Sequence, residues 1–236
     1  MIDGPAQRSQ EWAAGPPVPT VLGDVLDVSR NRGLIGSTEN EEAVAHSRGF
    51  ADCIPVGSRV LDLGSGGGLP GLVLAIGRPD LELLLLDSAA RRTRVLEASV
   101  RQLGLSERVS VLNLRAEVAG RDERFRGQFD VVVSRSFGAP GVTAECARPF
   151  LADGGLLVVS EPPWAVTRAE SDDRVEASAV PADHDRWPPR GLEALRLSAA
   201  GFVRRGAYGF VVLEAEGACP ERFPRRPGVP SRKPLF

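Results

Sequence analysis

The stretch RVLDLGSGGGLPGLVLA, Arg59 to Ala75, decides how the rest of the chain is read. A β-rich run ends in glycines and opens into an apolar helical segment, which lets backbone N–H groups approach a ligand closely. Two motif spacings overlap in it. Gly66-x-Gly68-x-x-Gly71 is the spacing of a dinucleotide loop, and Asp62-x-Gly64-x-Gly66-x-Gly68 that of an S-adenosylmethionine loop. Pro70 suits the first turn of the following helix, where its missing N–H costs nothing.

Outward from this stretch, β-rich runs alternate with helical segments. The runs are RVLDL (59–63), LELLLLD (81–87), RVSVLNL (108–114), FDVVVS (129–134) and GLLVVS (155–160). Their near-continuous apolar character fits strands buried on both faces. Strand–helix–strand repetition predicts a parallel sheet with helices on both sides. After Ser160 comes a polar, Pro-rich connection, then GLEALRLSAAG (191–201), which reads as a helix, and FVRRGAYGFVVLEAE (202–216), which reads as a hairpin. This α/β plan is similar to class I S-adenosylmethionine-dependent methyltransferases: a Rossmann-like, mostly parallel seven-stranded sheet with an antiparallel C-terminal strand. Upstream, residues 1–20 read as a loose tail and 21–55 as a helical segment, with a Thr38-x-x-Glu41 capping box. The expected organisation is completed by a cofactor-binding domain at 56–216, carrying a polar insertion at 162–190, and a basic tail at 217–236.

Composition narrows the function classes. At 236 residues, 42% hydrophobic and 25% charged, the chain has the profile of an ordinary globular protein. No apolar run approaches the roughly 18 residues of a membrane helix, and the N-terminal residues show no secretory pattern. A cytoplasmic protein without membrane contact is the expectation. Cys53, Cys146 and Cys219 lie far apart, and His46 and His184 are too few for a His-based metal site, so no metal is expected. A formal net charge of −2 argues against a surface that binds nucleic acid all over. The tail differs: Arg222, Arg225, Arg226, Arg232 and Lys233 face Glu221 alone.

Two acids bear on the cofactor. Asp87 closes the second run, 23 residues after Gly64, where an acid reaches the ribose hydroxyls of an adenine nucleotide. That serves NAD and S-adenosylmethionine equally. Asp62 discriminates, because a carboxylate beside the loop repels a pyrophosphate but favours a ligand carrying a sulfonium and an ammonium. S-adenosyl-L-methionine is therefore the expected cofactor, with Asp62, Gly64, Gly66, Gly68 and Asp87 in its site.

The blocks LDLGSGGGLPGLVLAI, LLDSAARRTRVLE, LRAEV and FDVVVSRSF, in that order, resemble the small-subunit rRNA guanine-N7 methyltransferase family (RsmG, also called GidB). The tail FPRRPGVPSRKPL is similar to that family's C-terminal signature. The resemblance runs from about Val56 to Ser136 and from Phe210 to Phe236. It implies a monomeric enzyme that methylates N7 of a guanosine in 16S rRNA, within the 30S particle. Gly64 and Leu69 would line the cofactor, Asp87 with Ser88 would hold the ribose, Ala116 and Glu117 would flank the adenine, and Arg135 would face cofactor and substrate as the catalytic candidate. Upstream, only His46 remains of the family's His-Ile-x-Asp-Ser block, and SEPPW replaces a Lys-Gly pair after the fifth strand.

Guanine N7 has a free lone pair, so the absence of an obvious nucleophile or base is compatible with this chemistry. Arg91, Arg92, Arg225, Arg226, Arg232 and Lys233 are the candidate RNA contacts, with Arg94 beside them. EPPW, Glu161 to Trp164, also invites comparison with the Asp/Asn-Pro-Pro-aromatic motif of amino-methyltransferases, although it follows the fifth strand rather than the fourth. Two alternatives stay open: a divergent methyltransferase acting on another nucleic acid or a small molecule, and a non-catalytic module that binds S-adenosylmethionine or RNA.

Overall fold

The computed structural model describes residues 18–162 and 186–236. Residues 1–17 of the expected N-terminal tail, and most of the expected 162–190 insertion, lie outside the described residues. Seven strands form one sheet: β1 (Arg59–Leu63), β2 (Glu82–Asp87), β3 (Val109–Asn113), β4 (Phe129–Ser134), β5 (Leu151–Glu161), β6 (Leu197–Arg205) and β7 (Tyr208–Ala215). Their order is β3-β2-β1-β4-β5-β7-β6, parallel through β5 and antiparallel at β7 and β6. The order reverses between β1 and β4, and the crevice at such a switch point is where open α/β sheets bind ligands.

Strand alternation builds two cores. Val60, Leu83, Leu85, Val131 and Val133 point into one, while Leu61, Leu63, Leu84, Leu86, Phe129 and Val132 point into the other. The first core is covered by α1 (Thr20–Asn31), α2 (Asn40–Arg48), α3 (Gly71–Gly77) and α4 (Ala90–Gln102). In α1, Leu22, Val25 and Leu26 recur at helical spacing and are buried in it. The second lies under α5 (Ala116–Ala119), α6 (Pro140–Ala147), α7 (Pro189–Ala194) and the chain end, which carries α8 (Val229–Arg232). No helix among the described residues is long and apolar enough to cross a membrane.

Three local expectations differ from the structure. The capping box does not form: α2 starts at Asn40 after Glu39, with no side-chain cap. Arg30 draws this segment onto α1 instead, donating to the Thr38 carbonyl (2.8 Å) and to the Asn40 side chain (2.5 Å). Pro70 precedes α3 as its cap residue rather than lying in its first turn. The stretch 191–201 is helical only to Ala194; Arg196 then takes a left-handed turn (φ 54°), and Leu197 onward pairs with β7. Neighbouring strand edges override the weak β preference of Ser198, Ala199 and Ala200.

Candidate active site

The C-terminal ends of β1, β2 and β4 carry a continuous depression. Its first part, about 320 Å³, is lined by Gly64, Ser65, Gly66, Gly67 and Leu69 of the loop, by Leu34, Ile35 and Thr38 upstream, and by Arg92 and Arg135. The second, about 240 Å³, is lined by Asp87, Ser88, Ala116, Glu117, Phe137 and Ser231. The two share Gly64, Arg92 and Ser136. A third cavity, about 340 Å³, opens past Arg135 and Ser136 between β4 and β5, against His46, Glu161 and Trp187.

Backbone conformation shapes the loop. Gly64 has φ 78°, and a side-chain carbon added there would lie 2.6 Å from the Phe137 ring. Asp87 fastens the loop from below, accepting from Gly66 N–H (3.0 Å) through one oxygen and from Ala89 N–H (2.8 Å) through the other. Arg92 lies 3.4 Å from the same carboxylate. Oδ2 thus accepts from both Gly66 and Arg92, while Oδ1 keeps a lone pair for a ligand hydroxyl.

Asp62 takes a different place from the one its spacing suggests. It is fully buried, lines neither part of the depression, and accepts the Gly71 N–H at 3.0 Å, while its Oδ1 has no partner among the described residues. It holds the start of α3 from beneath the loop rather than facing the cavity. Gly68 likewise is a packing position, since a side chain there would run into Leu72. Burial pushes the Asp62 carboxyl up to about 7, against the pull of the Gly71 amide. With the folded-state value raised, this group's stabilising contribution is complete below about pH 4 and is lost as pH rises to about 7. Asp62→Asn should flatten that part of the stability–pH profile, by an amount on the order of a few kcal/mol. Urea titrations at pH 5 and 8 check it; an unchanged profile would refute the assignment.

On the adenine side, Glu117 accepts from Arg115 (2.7 Å) and from Gly228 N–H (2.8 Å). Burial works against the ionised carboxyl, but these donors outweigh it and hold Glu117 below its ordinary value. In the third cavity, burial and the nearby Arg135 push His46 down to about 4. His46 stacks on Tyr208 at 4.4 Å, and its Nε2 lies 3.1 Å from Ser160 Oγ. Burial also pulls the Arg135 guanidinium below its usual value, and its Nη1 is a buried donor with no partner among the described residues.

The sequence profile described as GidB, rRNA small subunit methyltransferase G, matches residues 23–179. The chain belongs to the GidB family. It is 36% identical over 179 residues to the ribosomal RNA small subunit methyltransferase G of Parasynechococcus marenigrum, covering 74% of this chain and 66% of that protein. To the Moorella thermoacetica protein of the same name it is 34% identical over 182 residues, covering 77% and 71%. The chain thus spans about two thirds of the length of the curated relatives it matches. The fold is shared with an O-methyltransferase from Bacillus cereus in complex with S-adenosylhomocysteine (TM-score 0.58, 16% identity, 89% and 97% coverage). It is shared also with the tRNA methyltransferase TrmK of Bacillus subtilis (TM-score 0.51, 16% identity, 73% and 66% coverage). Family membership resolves the choice between the two overlapping loop spacings: the cofactor is S-adenosylmethionine. The GidB match also starts well before Val56, so the upstream helices belong to the family region despite their altered block.

The residues expected at the GidB site fall into groups. Gly64, Gly66, Leu69, Asp87, Ser88, Ala116, Glu117 and Arg135 line the depression. Arg92, expected at RNA, lines both of its parts. Arg91 donates to the Arg32 carbonyl at 3.0 Å, and Arg225 grips Glu145. Arg94, Arg226, Arg232 and Lys233 are exposed. Glu161 accepts from Trp187 Nε1 (2.8 Å) and Arg186 Nε (2.7 Å), and Pro163 and Trp164 of EPPW lie outside the described residues. Sequence reasoning missed Leu34, Ile35, Ser65, Gly67, Phe137 and Ser231; Ser65 and Gly67 stood inside the glycine run, while the others carry no local signal.

Proposed function

We propose that the chain is a cytoplasmic enzyme that methylates N7 of a guanosine in 16S rRNA, acting on the 30S particle. The reading rests on Arg135, a half-buried guanidinium in the wall between the loop cavity and the third cavity, whose buried Nη1 has no partner among the described residues. The residues present fit S-adenosylmethionine. The loop brings bare backbone to the ligand, Asp87 offers acceptors for ribose hydroxyls, and the narrow space beside Ala116 and Glu117 suits a flat base. When bound, the cofactor supplies an electrophilic methyl group on a sulfonium.

The chain's task is then placement. Guanine shows O6 and N7 side by side as acceptors, so an Arg135 donor on O6 sets N7 beside the cofactor cavity. No proton has to be removed from N7, and positioning alone contributes roughly 7–11 kcal/mol in well-aligned reactions. The purine gains positive charge as its N–C bond forms, and a neutral His46 adds no opposing charge to the wall. Exposed Arg94, Arg226, Arg232 and Lys233 supply phosphate contacts that orient the RNA.

Arg135→Ala should lower kcat/KM on under-modified 30S particles about 10- to 100-fold, the worth of one charge-assisted hydrogen bond. Affinity for S-adenosylhomocysteine should stay close to that of the unaltered chain. Mass mapping of the 16S rRNA reads the product. Full activity in the variant, or no N7-methylguanosine with the unaltered chain, would refute the reading.

A further inference from the structure

We infer that the last twenty residues form a wall of the cofactor cavity, with Ser231 contacting the adenine-nucleoside end of S-adenosylmethionine. The inference rests on the cofactor placement above.

By charge, this segment reads as a free arm for RNA. Its structure is that of a strap. Asp153 accepts the Gly217 N–H at 2.6 Å, and Arg126 donates to the carbonyls of Cys219 (3.0 Å), Pro220 (3.2 Å) and Phe223 (2.9 Å). Arg121 adds the Pro224 carbonyl at 2.5 Å, and Phe223 is buried in the second core. Arg225 then lays its fork on Glu145, Nε at 2.9 and 3.0 Å and Nη2 at 2.5 Å, and that carboxylate is fully buried in α6. At the far end Phe236 closes over Gly141, where an added side-chain carbon would lie 2.6 Å from its carbonyl oxygen.

Between these anchors the strap meets the cavity. Gly228, at φ 77°, turns its N–H onto Glu117 at 2.8 Å, and Glu117 is itself a wall of the nucleoside part. The left-handed turn is one that glycine adopts without strain. It directs α8 along the cavity edge, so that Ser231 joins Asp87, Ser88, Ala116 and Glu117 around the same space. A serine hydroxyl both donates and accepts, which matches the mixed edge of a purine. Arg226 and Arg232 remain exposed. One short segment thereby serves cofactor inside and leaves its outer cations free for phosphates.

Ser231→Tyr, which fills the cavity edge from an exposed position, is the test. Isothermal titration with S-adenosylhomocysteine should show at least tenfold weaker binding, with the ligand-free melting temperature unchanged. In the unaltered chain, S-adenosylhomocysteine should slow hydrogen exchange of amides 228–232. Unchanged affinity in the variant, or unchanged exchange in the unaltered chain, overturns the strap assignment while leaving the cofactor reading intact. Failure of the unaltered chain to bind S-adenosylhomocysteine overturns both. If the variant melts early, the exchange measurement decides.

Discussion

Gly64→Val should reduce S-adenosylhomocysteine affinity about 100-fold while leaving the chain folded. The residue is the first of the loop and lines both parts of the depression. Its φ of 78° lies in the left-handed region, which costs a residue with a Cβ roughly 1–2 kcal/mol. The new side chain would also meet the adjacent Phe137 ring, which lines the nucleoside cavity with it. Relief by moving Phe137 narrows the cavity, and relief by moving the loop loosens the Gly64 and Ser65 amides from the Leu86 carbonyl, now at 2.9 and 3.1 Å. Either way about 3 kcal/mol is lost from binding, which corresponds to the 100-fold change. Titration calorimetry reads it, and an affinity within threefold of the unaltered chain would show that the loop does not touch the ligand.

Arg148→Ala should lower stability by about 3–5 kcal/mol, among the largest effects of any single substitution here. Arg148 is fully buried at the corner between α6 and β5. It donates to the carbonyls of Leu195 (2.9 Å), Arg196 (3.2 Å) and Leu151 (3.4 Å), and to that of Gly217. Burial pulls its guanidinium below the usual value, yet these acceptors keep it solvated by backbone. Truncation removes the donor from the carbonyls of the buried Leu195 and Leu151, each worth roughly 1–3 kcal/mol, and opens a void. For a chain of this size the melting temperature should fall by about 6–20 °C. Arg148→Met, which keeps much of the volume, should recover part of the loss. A fall of under about 2 °C in the alanine variant would mean that water replaces the guanidinium.

The contrast between these two positions shows what a sequence reveals. Gly64 stood out because strand, glycine and helix signals coincide over a few residues, and β1 to β5 were legible for the same local reason. Long apolar runs such as Leu83–Leu86 have no solvent face to hide in. Asp62 was legible as an acid at the right spacing, but its spacing could not say which way the carboxyl points; burial beneath α3 decides that. Arg225 was read as a free cation because Glu145 lies 80 residues away in sequence. A signal existed there, since a carboxylate amid the apolar residues of GVTAECARPFL needs a partner once buried. The second half of β6, Phe202–Arg205, was legible as the first arm of a hairpin, but for its first half no local signal existed. Ala199 and Gly201 are extended because β7 offers them a pairing edge.

The interior use of arginine also bears on how RNA would be held. Arg78, Arg108, Arg126 and Arg148 each direct a guanidinium to backbone carbonyls, and Arg205 and Arg225 are tied to Asp52 and Glu145. Side chains so engaged have no phosphate to neutralise, and displace no condensed cations from a polynucleotide. The ionic-strength dependence of any association with RNA would be set instead by outward-facing cations, Arg94, Arg101, Arg226, Arg232 and Lys233 among them. Under the proposed function, the salt slope would therefore fall short of what the composition suggests, because part of the arginine is engaged inside the fold rather than facing a phosphate.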